Sequence, residues 1–264
     1  MRFRVPVLAL VAALASPLAL TGAARAGETA CWFENGAVIA PAVIADMAGD
    51  YVIDLSAPRT LLHETKAQMA GITEPELALP VQVAGLKVPA VSVKVADLDA
   101  RGMGFVTPIA GVIGMDVLAG HSIEIDFAGC RVRIDKPWRP RRQVVIPVEM
   151  VEGLPTIVAA VSDGPTTFRG AFAIDTASLA MARLSTRDAT VKGKLDPPKL
   201  DTAARHTAPA RLRALSIGGV LAENVPATLA DDLPEGVAGT LGTALWARHR
   251  LRLAADARTL TVAN

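Results

Sequence analysis

Short apolar runs rich in Val and Ile, each stopped by Gly, Pro, Asn or Asp, recur along most of the chain. Such runs predict β-strands, here over Ala37 to Ala45, Tyr51 to Leu55, Val81 to Val95, Ile123 to Phe127 and Arg131 to Ile134. Within the third, Ala84-Gly85 separates Val81-Gln82-Val83 from Leu86-Lys87-Val88, and the second half repeats the device with Gly218-Gly219 after Leu215-Ser216-Ile217. Two-residue connections of this kind predict hairpins. Short helices are expected at Pro58 to Ala70, ending before Gly71, and at Asp116 to Ala119. The strand pattern breaks at Lys136-Pro137-Trp138-Arg139-Pro140-Arg141-Arg142, which reads as a solvated linker. It breaks again over Thr186 to Pro209, a polar, aperiodic stretch holding Pro197-Pro198 that reads as a mobile loop.

The chain also repeats itself. Tyr51-Val52-Ile53-Asp54-Leu55-Ser56-Ala57 is followed by Gly111-Val112-Ile113-Gly114-Met115-Asp116-Val117-Leu118. Phe172-Ala173-Ile174-Asp175-Thr176-Ala177-Ser178 is followed by Gly239-Thr240-Leu241-Gly242-Thr243-Ala244-Leu245-Trp246. Asp54 to Gly114 spans 60 positions and Asp175 to Gly242 spans 67. The organisation this implies is a leader over 1–26, an N-terminal lobe over 27–136, a linker over 137–145 and a C-terminal lobe over 146–264. A single apolar strand ending in Asp is no more than a strand followed by an Asx turn. The same order of strand, Asp, hairpin and apolar-apolar-Gly occurring twice implies two aspartates brought together, an arrangement in which paired acids share a proton and activate water.

At the N-terminus Arg2 and Arg4 precede an apolar run from Val5 to Leu20, and Ala24-Arg25-Ala26 supplies small residues for cleavage. That is a transport-signal pattern, and Glu28-Thr29-Ala30 before Cys31 is not a lipobox. A periplasmic or secreted protein with no membrane span is expected. Without the leader's three arginines the formal charge moves from +1 to −2, which offers no field for nucleic acid or an anionic membrane. Cys31 and Cys130 are the two cysteines. An even count in an oxidising compartment predicts a bridge, with two buried free thiols as the alternative. A bridge closing a loop of about 100 residues stabilises by roughly 4–5 kcal/mol in the chain-entropy model.

On the paired Asp segments and their downstream glycines, nearly all of the mature chain resembles the retropepsin-like aspartic proteases, of pepsin and retroviral type, in the tandem two-lobed form that bacteria export. Met115-Asp116-Val117-Leu118 with Ile123-Glu124-Ile125-Asp126 is similar to the family's helix entry and closing strand. Leu245-Trp246-Ala247-Arg248-His249 with Leu251-Arg252-Leu253 and Thr259-Leu260-Thr261-Val262 takes the equivalent places in the second lobe. The resemblance implies an all-β, mainly antiparallel fold of two pseudo-symmetric acid-protease lobes with a few short helices. It implies Asp54 and Asp175 as a joint catalytic dyad, supported by Ser56, Ala57, Thr176, Ala177, Ser178, Gly114 and Gly242. It requires no cofactor and no metal, and implies a peptide or unfolded protein as substrate and a monomer with both lobes in one chain.

The family's Asp-Thr-Gly triplet is degenerate here. Thr176 can supply the hydroxyl that braces the dyad across the lobes, whereas Leu55 cannot. Ser56 and Ala177 each put a Cβ where glycine is usual, at a cost of about 1 kcal/mol or more if either backbone has φ > 0. Ser56 either crowds the water or donates a hydrogen bond to the dyad. From Asp54 to Gly85 there are 31 positions and from Asp175 to Gly218 there are 43. The first lobe is therefore expected to lack a full flap, with Lys192 to Thr207 covering the cleft. His63, His121, His206 and His249 lack metal-ligand spacing and are expected to be structural; Ser56, Ser92, Ser122 and Ser178 lack a Gly-x-Ser-x-Gly context. Asp116 and Asp126 are expected to serve capping and turns. The main reading is an exported aspartic endopeptidase. The competing ones are a catalytically inactive peptide- or protein-binding module and a purely structural envelope protein.

Overall fold

A computed structural model describes residues 27–102, 104–140, 142–164, 167–185, 208–254 and 258–263. The first half contributes β1 (Glu28–Ala30), β2 (Trp32–Glu34), β3 (Ala37–Ile44), β4 (Met47–Ile53), β5 (Leu61–His63), β6 (Glu76–Val83), β7 (Leu86–Ala96), β8 (Ile109–Ile113), β9 (Ile123–Asp126) and β10 (Arg131–Ile134). The second contributes β11 (Gln143–Pro147), β12 (Glu149–Val151), β13 (Leu154–Ser162), β14 (Thr167–Ile174), β15 (Ala182–Ser185), β16 (Ala208–Ile217), β17 (Val220–Ala230), β18 (Gly239–Leu241), β19 (Arg250–Ala254) and β20 (Thr259–Ala263). Among the described residues, four short helices punctuate them: α1 (Glu64–Met69), α2 (Asp99–Gly102), α3 (Met115–Leu118) and α4 (Thr243–Trp246).

The halves close into the same barrel. In the first, β3-β4-β8-β5-β7-β6 returns to β3 through the β3–β6 pairing, and in the second β13-β14-β18-β15-β17-β16 returns to β13 through β13–β16. Parallel pairs fall at matching places, β4–β8 with β14–β18 and β5–β7 with β15–β17. Closure leaves each barrel without a free edge. Alternation fills the interior: Val38, Ala40, Ala42 and Ile44 of β3 point into one core while Ala37 and Ile39 join a second cluster on the outer face. The expected all-β, two-lobed architecture is the one observed.

A third sheet, ordered β1-β10-β9-β19-β20-β11, ties the lobes together. At its centre Ile123 and Ile125 of β9 pair with Leu253 and Leu251 of β19. Arg250 of the second half forms an ion pair with Asp126 of the first, which also takes the Gly129 N–H into its turn at 3.2 Å. Cys31 and Cys130 are bridged, with Cα atoms 4.9 Å apart, fastening the start of β2 to the start of β10. Among the described residues, no helix is long and apolar enough to cross a membrane.

The hairpin turns are as expected. Ala84 and Gly85 both have positive φ, as do Gly218 and Gly219, the backbone a tight antiparallel return of this twist requires. Other boundaries move. Pro58 to Ala70 is not one helix: Leu61–His63 is β5, held between β7 and β8, and α1 starts at Glu64, where His63 Nδ1 accepts the Thr65 N–H at 3.2 Å. Gln143 to Val145, placed in the linker, lie in β11, whose ladder partner β20 comes from the far end of the chain. Ala208 and Pro209, placed in the mobile loop, begin β16. The rest of that loop, 186–207, the proposed cover at Lys192 to Thr207, His206 and the leader all lie outside the described residues.

Candidate active site

β4 and β14 each end at an aspartate, Asp54 and Asp175, and both are buried, 0% and 2% exposed. Each is fixed by the strand beside it, since the Asp54 N–H donates to Ile113 O at 3.0 Å and the Asp175 N–H to Leu241 O at 2.9 Å. Each then folds its chain back over its own carboxylate. The Ser56 N–H donates to Asp54 Oδ1 at 2.8 Å, and the Ala177 N–H donates to Asp175 Oδ1 at 2.9 Å. The turn works without glycine because neither Ser56 nor Ala177 has positive φ, so the degenerate triplets carry no left-handed strain.

The downstream glycines close the loops. A Cβ on Gly114 would meet Arg59 C and O at 2.6 Å and Ala57 O at 2.8 Å, and one on Gly242 would meet Ala180 O at 2.1 Å and Ser178 O at 2.7 Å. Room for that approach is why both positions must be glycine. The same carbonyls then accept the first N–H of the helix that follows, Met115 to Ala57 O and Thr243 to Ser178 O, both at 2.8 Å. Behind Asp54, Thr60 Oγ1 accepts the Gly114 N–H at 3.1 Å and donates to Asp116 Oδ1 at 2.6 Å, which gives Asp116 its bracing role.

The brace between the lobes is half present. Thr176 Oγ1 accepts the Leu55 N–H at 3.0 Å and donates to Ile53 O at 2.6 Å. Leu55 instead buries its side chain in the core, 1% exposed. Two further bonds cross the junction: the Val38 N–H to Thr176 O at 2.9 Å and Thr243 Oγ1 to Gly36 O at 2.7 Å. One backbone bond and one from the Thr243 hydroxyl thus span the junction where Leu55 offers no hydroxyl.

The carboxylates differ in what faces them. Ser56 Oγ donates to Asp54 Oδ1 at 2.7 Å, and Arg101 Nη2 donates to Asp54 Oδ2 at 3.1 Å. Asp175 Oδ2 receives the Thr240 hydroxyl at 3.1 Å. Burial, and then the negative charge of Asp54, push the Asp175 carboxyl up to about 6, against the pull of the Ala177 N–H, Arg183 and Thr240. Asp54 thus faces a hydroxyl and a guanidinium, whereas the surroundings of Asp175 favour its protonated form.

Arg101 and Thr240 are the site residues that sequence reasoning passed over. Thr240 had a readable signal, a hydroxyl in an apolar strand whose register places it opposite Ala173, two residues before Asp175. Arg101 had none, because a four-residue helix in an aperiodic stretch says nothing about where its side chain reaches. An apolar hollow of about 360 Å³ between β11, α4 and the β16–β17 turn shares no residue with the dyad.

Compared with solved structures, the chain matches the aspartic proteinase from Irpex lacteus with a TM-score of 0.53 at 13% identity, covering 90% of this chain and 97% of that one. The fold is that of an aspartic proteinase. No protein-family model and no curated protein matches the sequence. The likeness is thus one of architecture, and the residues of this chain must carry any argument about chemistry.

Proposed function

We propose that the protein is an exported aspartic endopeptidase of the tandem retropepsin-like kind, acting as a monomer in the periplasm or outside the cell. The observation that carries this reading is the pair of buried carboxyls presented by matching turns of two matching barrels, with Ser56 and Arg101 donating to Asp54 and Thr240 donating to Asp175. Asp54, an acceptor for Ser56 and Arg101, is the base that takes a proton from water. Asp175 gives its proton to the carbonyl oxygen under attack. The gem-diol then collapses as the C–N bond breaks, the amine leaving with the proton held by Asp54 while one diol hydroxyl returns its proton to Asp175, which restores the dyad, and no covalent enzyme intermediate forms. An electrostatic difference of this kind is how two chemically identical acids take opposite roles.

A second reading, an inactive peptide- or protein-binding module, draws on Arg101 occupying Asp54 Oδ2 and on the missing hydroxyl at Leu55. The mature protein incubated with unfolded protein separates the two. The hydrolase cleaves it, is blocked by a statine-type inhibitor, and loses activity in Asp54→Asn and in Asp175→Asn. A binding module holds the polypeptide intact in all three forms.

A further inference from the structure

Arg101 lies on α2, in the connection from β7 to β8, and comes back to the dyad. Its anchor is apolar: Leu98 and Phe105 on either side of α2 pack into the cluster of Ala37, Ile39, Val52, Ala57 and Val112 that also touches Ala177. Asp99 at the start of α2 pairs with His63 Nε2 at 3.1 Å, tying the segment to β5. The guanidinium is 42% exposed, while the carboxylate it touches is 0% exposed. Nη2 is engaged by Asp54, and Nε and Nη1 have no partner among the described residues. The corresponding β17–β18 connection of the second lobe, 231–238, contains Asp231, Asp232 and Glu235 and no basic residue.

A peptide entering the cleft competes for Asp54 Oδ2, the oxygen not already held by Ser56. A neutral peptide draws the guanidinium off a buried carboxylate and gives it no charged partner in exchange. A peptide with its own carboxylate replaces the lost partner through a charge-assisted, two-point contact, which a guanidinium fork accommodates better than any other side chain. A hollow of about 820 Å³ lined by His63, Lys66, Asp99 and Phe105 opens beside the segment.

We infer that Arg101 is a specificity-determining residue that selects peptides bearing an Asp or Glu side chain, or a terminal carboxylate, next to the residues lodged between Asp54 and Asp175. This rests on that cleft being the peptide site, whether for cleavage or for binding.

The experiment uses paired peptides that carry Asp or Glu, or Asn or Gln, at each position in turn, and a Lys-bearing set. Cleavage is measured with the wild type, Arg101→Gln and Arg101→Glu, and binding with the same three in an Asp175→Asn background. Hydrogen bonds to a charged partner, discounted for the half-exposed guanidinium, give about a tenfold preference for the acidic peptide at one position. Arg101→Gln levels that preference and Arg101→Glu turns it towards Lys. Reversal is the signature that a merely structural Arg101 does not produce, and Arg101→Gln suffices should the Glu variant not fold. Cleavage indifferent to acidic residues, or an acidic preference that survives Arg101→Glu, overturns the inference. Acidic peptides bound through Arg101 but never cleaved uphold it and defeat the hydrolase. Peptides neither cleaved nor bound overturn both.

Discussion

Replacing Asp175 by Asn is expected to make the protein more stable at neutral pH while abolishing its chemistry. The carboxyl stands at about 6 in the folded protein against an ordinary 3.8, because burial and Asp54 oppose its ionisation. Between those values the folded chain holds a proton that the unfolded chain has lost, so stability falls as pH rises through the window. The full difference is worth about 3 kcal/mol once pH exceeds both values. Asp175 is 2% exposed, so solvent screening does not reduce it. Asn reproduces the protonated acid: its oxygen still accepts the Ala177 N–H, and its amide faces the Thr240 hydroxyl. Asp175→Asn should match the wild type well below the ordinary value of 3.8 and exceed it at pH 8 by about 3 kcal/mol, a rise in Tm on the order of 6–12 °C for a chain of this size. Thermal or guanidinium unfolding of both proteins at the two pH values gives the comparison. A difference that is the same at both pH values, or an Asn variant less stable at pH 8, would refute the claim that Asp175 is held protonated by its surroundings.

Two further substitutions probe how the site is held. Thr176→Val keeps the shape but strands the Leu55 N–H and the Ile53 carbonyl at the lobe junction; denaturant unfolding should show a loss of about 2 kcal/mol, with Thr176→Ser close to wild type. Gly242→Ala drives a Cβ onto backbone at Ala180 O and should cost about 3 kcal/mol or more, whereas Gly120→Ala, with φ of +84° and open space around it, should cost about 1 kcal/mol. Equal losses at the two glycines would mean that the close approach at Gly242 is not what fixes the loop.

Much of the fold was legible because it is written locally and twice. The Asp54 and Asp175 strands, the turns at Ala84-Gly85 and Gly218-Gly219, and the glycines at 114 and 242 each follow from nearest-neighbour chemistry, and repetition converts weak signals into a strong one. The worry over Ser56 and Ala177 dissolves in the structure, since the turn after each aspartate uses ordinary backbone and needs only the N–H two residues on. What was not legible is long-range. β11 hides beside a basic cluster because its ladder partner, β20, lies at the opposite end of the sequence, and β5 is too short to show a period. Arg101 reaches Asp54 from 47 positions away through a helix of four residues, a contact that no spacing rule announces.

The central claim is that Asp54 and Asp175 form one working dyad. The most direct test is cleavage of a randomised peptide library by the purified mature protein between about pH 3 and 8, with Asp175→Asn in parallel. The account predicts cleavage by the wild type and none by the variant, although the variant is folded and more stable at pH 8. Cleavage that persists in folded Asp175→Asn, or its absence in the folded wild type at every pH, would contradict it.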